Sequence, residues 1–458
     1  MPAGQEKYLL LSNKAPHRPA LPSSKLRALL AVVLTLALLF SAWHQLAPAR
    51  PSDTLAEFQR CSITGYDKSA LAGAVPIHEG EFLERRDRFA RALKSDGHDA
   101  FIVEPGFTFV YLANISSVRF AQLFFERPTD FEMPSISSSG KSPEDPSIII
   151  AHTTFLVPAF ELQRALDLKM PSPTPEVQYI TWEEHISPYA VARAFLGDKT
   201  SLVADDEMRA FILDGFTAAG FILTPLIDSP EISAVKSIKS PAEIEIVRAV
   251  NTLTIEGIRT VQRCAYFGLT ELEISQTLDK TMESAGMEPF FDLALIILPI
   301  GQIQLGAHLY GLSSDVCRTF LLPHDPARFQ KSMSDDMKRK FEIWHTVLEA
   351  QTASITKMVD GGPASQVDLA ARGVIEKAGY GKAFTHRLGH GIGIKAHESP
   401  YLNKGNTRTF LRTGTAMTSE PGIYLPGDFG VRHEDIVLIT ENGTEILSGK
   451  RATSPWEP

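Results

Sequence analysis

Four short segments in the last third of the chain gather carboxylates and imidazoles. They are Ser313-Ser314-Asp315-Val316-Cys317-Arg318-Thr319-Phe320, His386-Arg387-Leu388-Gly389-His390-Gly391-Ile392-Gly393, Thr418-Ser419-Glu420-Pro421-Gly422-Ile423-Tyr424 and Gly430-Val431-Arg432-His433-Glu434-Asp435. Carboxylates with one imidazole, drawn from separate strands, suit a pair of borderline-hard divalent ions such as manganese, cobalt or zinc. Carboxylates bridge two ions, and a water between them ionises near neutral pH. The glycines around these residues let backbone approach ions and substrate closely.

Each segment alone has an ordinary explanation. Asp315 fits a solvated carboxylate at a strand end, and Glu420-Pro421-Gly422 fits a turn. His386 and His390 stand four apart, as two ligands on a helix would. Gly389, Gly391 and Gly393 argue against a helix there, and the glutamate of a His-Glu-x-x-His motif is missing. The same glycines lack the strand–turn–helix setting of a dinucleotide loop.

Taken together, the segments resemble the aminopeptidase P and prolidase family in order and spacing. The strings that carry the resemblance are SerAspValCysArgThrPhe, HisArgLeuGlyHisGlyIleGly followed by HisGluSerPro, SerGluProGlyIleTyr and GlyValArgHisGluAspIleVal. It spans residues 235–449. Residues 80–230 resemble the family's N-terminal domain more loosely, through Arg85-Arg86, Glu104-Pro105 and Tyr111-Leu112-Ala113-Asn114-Ile115-Ser116. The resemblance implies an α+β architecture: a pita-bread catalytic domain preceded by an α/β creatinase-type domain. It implies metal ligation by Asp315, His390, Glu420 and Glu434. His386 and His397 match histidines that position substrate and shuttle protons, and Arg432 matches an arginine that supports the second-metal side. The cofactor implied is two divalent ions, manganese foremost with cobalt or zinc as alternatives. The reaction implied is hydrolysis of Xaa-Pro bonds in proline-containing peptides or dipeptides by a metal-activated hydroxide, with the tetrahedral oxyanion stabilised by histidines. Family members are often homodimers, although no segment of this chain marks an interface.

Two departures stand out. The family places a further aspartate ligand eleven residues before Asp315, and here that position is Gln304, a neutral side chain and a poor bridge between cations. Just upstream, Phe290-Phe291-Asp292-Leu293-Ala294-Leu295-Ile296-Ile297-Leu298-Pro299-Ile300-Gly301 runs almost directly into the hairpin carrying Gln304. Family members carry a few tens of extra residues at this point, including a histidine that faces substrate. Asp292 stands too far from the hairpin position to replace the missing carboxylate. Three explanations fit: a misassigned exon, a variant that binds one ion, or a non-catalytic relative that keeps the fold as a peptide-binding or scaffold domain.

The elements that must position these residues can be read from helix signals and apolar runs. Ser240-Pro241-Ala242-Glu243 and Thr270-Glu271-Leu272-Glu273 are capping boxes that open two helices. Helices are predicted from Asp335 to Met358 and from Ser365 to Gly379. Helices on one face of a curved antiparallel sheet is the expected packing. Upstream, strand patterns at residues 100–103, 148–150, 178–180 and 201–203 alternate with helical stretches near 158–167, 183–196 and 206–219. The 128–147 segment reads as a loop.

The uncharged run from Ala28 to Ala42, extended to Leu26–Leu46, predicts a membrane anchor. Lys7, Lys14, Arg18, Lys25 and Arg27 before it orient the chain as a single-pass type II membrane protein with its C-terminal domains lumenal or extracellular. The organisation expected is a cytosolic tail (1–25), an anchor (26–46), a stalk (47–75), an N-terminal domain (76–232) and a catalytic domain (235–449). With 54 acidic and 45 basic side chains, the balance argues against a nucleic-acid partner. Cys61, Cys264 and Cys317 lie far apart in sequence and predict no disulfide framework.

Overall fold

Ala100–Val103 (β1) is buried at all four positions, as a strand packed on both faces must be. It lies inside a six-stranded mixed sheet ordered β4-β3-β2-β1-β5-β6 in the computed structural model. The other strands are Gln122–Glu126 (β2), His152–Pro158 (β3), Gln178–Trp182 (β4), Ser201–Ala204 (β5) and Ile222–Pro225 (β6). β1 runs parallel to β5 and antiparallel to β2. Ala100, Ile102, Leu156 and Leu202 form one core with Leu196, Ile212 and Phe216, which come from the helices Pro188–Leu196 and Ala210–Ala218. This is the α/β alternation read from the sequence. The strand expected at 148–150 and the loop at 128–147 lie outside the described residues, which are 52–115, 122–126, 152–168, 170–171, 177–297, 300–322 and 333–458.

Two findings correct expectations about the N-terminal region. Among the described residues no helix is long and apolar enough to cross a membrane. The type II membrane localisation is therefore not upheld, and the 26–46 run that suggested it lies outside the described residues. Second, part of the expected stalk is structured: Ser52–Thr64 (α1) is a helix, Phe58 and Tyr66 are buried, and Cys61 is disulfide-bonded to Cys264 with a Cα–Cα distance of 5.9 Å. The Pro-, Ser- and Ala-rich composition suggested a linker, but Phe58 and Tyr66 supply apolar anchors. The Tyr66 hydroxyl donates to Leu253 O at 3.0 Å. A separation of 203 residues in sequence gave no hint of closeness in the fold.

Both capping boxes form as predicted. Ser240 opens Pro241–Cys264 (α2) and Thr270 opens Glu271–Glu283 (α3). These helices cover the outer face of a sheet made of Glu288–Ile297 (β7), Ile300–Leu309 (β8), Leu312–Ser313 (β9) and Val316–Leu321 (β10), ordered β10-β8-β7 with β9 on β8. Because side chains alternate across a strand, Ile303, Leu305 and Ala307 are buried on the face that carries Asp292 and Ala294. Gln302 and Gln304 point to the other face, with Phe291, Leu293 and Leu295 opposite Gly306, Gln304 and Gln302. A second sheet, β12-β11-β13-β16-β17, and the hairpin β14-β15 complete this half. Their strands are Gly389–Gly391 (β11), Glu398–Leu402 (β12), Ala416–Ser419 (β13), Gly422–Leu425 (β14), Phe429–Arg432 (β15), Asp435–Thr440 (β16) and Gly443–Ile446 (β17). Helices Asp335–Ile355 (α4) and Ala364–Lys377 (α5) pack over them through Trp344, Val347, Val367, Ala371 and Ile375 against Met417, Val437 and Ile439.

Candidate metal centre

The four chemistry-bearing segments converge, bringing Asp315, His390, Glu420 and Glu434 together. The corner between β9 and β10 is held from α2: Asn251 Oδ1 accepts from the Asp315 backbone N–H at 3.2 Å, and Thr254 Oγ1 donates to Ser314 Oγ at 2.8 Å. β11 approaches its neighbours so closely that only glycine fits. A Cβ on Gly389 would lie 2.2 Å from Thr418 O, and one on Gly391 would lie 2.5 Å from Ser399 O. That packing sets His390 between strands β12 and β13. Glu420 follows β13, with its N–H donating to Leu388 O at 2.9 Å. Glu434 lies between β15 and β16 and bridges to Cys317 on β10, its N–H donating to Cys317 O at 3.0 Å.

Among the described residues, two groups of three side chains bring ligand atoms within 4.8 Å of one another: Asp315, His390 and His397, and His390, Glu420 and Glu434. His390 lies next to a backbone carbonyl, Nδ1 to Gly391 O, at 3.0 Å. Nδ1–H can serve that contact, which leaves Nε2 as the ring nitrogen available to a metal. Nε2 faces Glu420 Oε1 at 3.2 Å and Asp315 Oδ2 at 3.7 Å. Both Glu434 oxygens are buried with no hydrogen-bond partner, as is His390 Nε2. Burial, with Asp315 and Glu420 alongside, holds the Glu434 carboxyl well above the ordinary glutamate range. Buried acceptors aimed at one another are costly unless something positive lies between them. The donor set therefore fits a divalent cation: carboxylate oxygens and one imidazole nitrogen.

Burial alone would raise Asp315. The hydrogen bond from His397, the charges of His390 and His397 and the contact with Gln304 bring it below its usual value instead. His397 Nε2 stands 3.2 Å from Asp315 Oδ2 on the open side of the cluster. His386 does not join the cluster. Its Nε2 lies 2.8 Å from the Tyr424 hydroxyl and its Nδ1 lies 2.6 Å from Arg387 O. Arg432 donates to the same hydroxyl at 3.3 Å, which leaves the hydroxyl proton for His386 Nε2 and the imidazole neutral. Burial lowers the His386 pKa, in keeping with that state.

Arg432 also donates to Gln304 Oε1, while Gln304 Nε2 donates to Asp315 Oδ1 at 3.4 Å. Gln304 thus reaches the cluster, opposite Cys317 in the β8–β10 register. Asp292 cannot take its place, because it pairs with Leu305 on the opposite face of β7–β8. Tyr424 was not singled out from the sequence, although it ends one of the four segments. A lone tyrosine beside a turn carries no sign that an arginine and a histidine will converge on its hydroxyl.

Comparison with known proteins bears on this geometry. Residues 300–441 match the model described as metallopeptidase family M24. An uncharacterized peptidase of Schizosaccharomyces pombe is 35% identical over 429 residues, which is 89% of this chain and 90% of that protein. The chain belongs to metallopeptidase family M24. An uncharacterized peptidase of Staphylococcus aureus is 32% identical over 236 residues, and the match spans 47% of this chain and 64% of that relative. Among solved structures, a dipeptidase of Mycobacterium ulcerans superposes with a TM-score of 0.67 at 24% identity, over 82% of this chain and 98% of its own. A prolidase of Pyrococcus horikoshii gives 0.62 at 24% identity over 80% and 99%, and an aminopeptidase P of Escherichia coli gives 0.63 at 16% over 83% and 97%. These likenesses show the fold, the pita-bread α+β fold of M24 peptidases. M24 enzymes bind divalent metal ions, and the clustered donors of this chain suit one.

Proposed function

We propose that this M24 chain is a metallopeptidase that hydrolyses Xaa-Pro bonds in short peptides or dipeptides. The observation that carries the reading is the convergence of three buried, unpartnered acceptor atoms, His390 Nε2 and both Glu434 oxygens, beside Asp315 and Glu420. Asp315, His390, Glu420 and Glu434 would hold the metal, with manganese favoured by the oxygen-rich donor set. A divalent ion held there supplies a Lewis acid for the scissile carbonyl and an ionised water at neutral pH.

The remaining work falls to the chain's own side chains. His397, with a side chain 58% exposed, can pass a proton between Asp315 and solvent. His386, neutral, accepts from the Tyr424 hydroxyl and fixes it beside Arg432, so that the hydroxyl and the guanidinium present an ordered polar wall to substrate oxygen. Arg432 fixes both Tyr424 and Gln304. Phe291, Leu293 and Leu295, exposed on the face that carries Gln304, provide an apolar wall for a substrate side chain.

The test is turnover of an Xaa-Pro dipeptide and an Xaa-Pro-Xaa peptide by the full chain. Cleavage that needs added manganese, and that vanishes in Glu434→Gln, is the expected result. Metal bound without turnover would favour a second reading, a peptide-binding relative with impaired catalysis. The Arg432–Gln304 contact supports that alternative, because it puts a neutral amide where a bridging carboxylate would serve two ions.

A further inference from the structure

We infer that the centre takes a single divalent ion per chain, on His390, Glu420 and Glu434, because Gln304 and Arg432 close the other half of the cleft. The inference rests on the metallopeptidase reading and sharpens it. Both three-residue groups draw on His390. Its Nδ1 is engaged with Gly391 O, so Nε2 is the nitrogen that can ligate, and it serves one ion. A second ion would share bridging carboxylates with the first and add only His397, whose side chain is mostly exposed. The carboxylate of its own that it would need is replaced by Gln304, a neutral amide.

Gln304 and Arg432 act against the second ion in two ways. The Gln304 carbonyl, its only metal-binding atom, accepts from Arg432, and its amide N–H groups face Asp315 Oδ1. A donor N–H cannot ligate a cation, and it covers the Asp315 oxygen that could.

The experiment is equilibrium dialysis of the full chain against manganese alone, with metal analysis and electron paramagnetic resonance at saturation. One ion per chain with the six-line spectrum of an isolated ion is expected. Gln304→Glu, nearly isosteric, should bring the content to two ions and give the spectrum of a coupled pair. Two ions in the unaltered chain would overturn the inference and leave the metallopeptidase reading standing. No bound ion in the folded chain would overturn both. One ion in both proteins would overturn the role given to Gln304.

Discussion

Glu434 and Asp435 are consecutive, both fully buried, and in opposite states. Asp435 accepts from Arg318 Nη2, from Ser448 Oγ at 2.7 Å and from Gln351 Nε2 at 3.0 Å. Burial would raise its carboxyl, but the charge of Arg318 and the hydrogen bond from Ser448 hold it below the usual aspartate range. Glu434 has no hydrogen-bond partner on either oxygen and is pushed up by burial and by its neighbours Asp315 and Glu420. The strand alternation that begins at β16 turns one side chain into a polar layer backed by α4 and the other into the cleft. A satisfied buried carboxylate holds the fold together. An orphaned one beside a histidine lone pair is a site waiting for a ligand.

The largest effect on stability should come from breaking the satisfied member. Arg318→Met leaves Asp435 with only the more distant Arg451, 3.9 Å away, and removing one partner of a buried pair costs about 3–5 kcal/mol. Denaturant unfolding of the metal-free chain measures it. Removing both charges, Arg318→Met with Asp435→Leu, should recover most of that loss. The pair also sets a pH dependence. Because Asp435 is depressed in the folded state, its contribution is complete above the ordinary aspartate value of about 3.8 and is lost as pH falls through the folded value. An acid titration of stability should flatten in Asp435→Asn.

Glu434→Gln should do the reverse. It removes a buried carboxylate that lacks a partner, so the metal-free chain should gain about 1–3 kcal/mol. The same change should weaken manganese binding by more than the roughly 10–100-fold typical of residues that only support ligands. Calorimetric titration and unfolding of one sample read both numbers. A Glu434→Gln chain that loses stability as Arg318→Met does would erase the distinction between the two carboxylates.

Tyr424→Phe should fall between ligand and bystander. It deletes the hydroxyl shared by His386 and Arg432 and leaves the metal donors untouched. We expect turnover to drop by about 10–100-fold, with metal affinity changing less. Steady-state kinetics at saturating manganese separates the two.

The sequence made one side of this comparison legible and hid the other. The family resemblance named Asp315, His390, Glu420 and Glu434 because its strings are local in sequence, and the structure brings these four side chains together. The capping boxes at Ser240 and Thr270 were readable for the same reason. The partners that silence Asp435 come from Arg318, Gln351 and Ser448, which lie 117, 84 and 13 residues away in sequence. No local pattern announces such a convergence. The Cys61–Cys264 bond was missed on the same ground, since sequence separation was taken for spatial separation. The stalk reading failed because composition outweighed two aromatic anchors, Phe58 and Tyr66.

The smallest effect should come from a charge pair that belongs to neither environment. Arg412 Nη2 meets Glu231 Oε1 at 2.8 Å with both side chains more than two-fifths exposed. The contact lowers the Glu231 pKa and raises that of Arg412. Water solvates both groups when they part, so exposed pairs of this kind contribute about 0–1 kcal/mol. Arg412→Ala should therefore shift unfolding by less than about 1 kcal/mol, and 0.5 M salt should remove most of that by screening. A loss as large as that of Arg318→Met would mean that hydrogen-bond geometry, not burial, decides what an ion pair is worth in this protein, and the contrast between Glu434 and Asp435 would then need another cause.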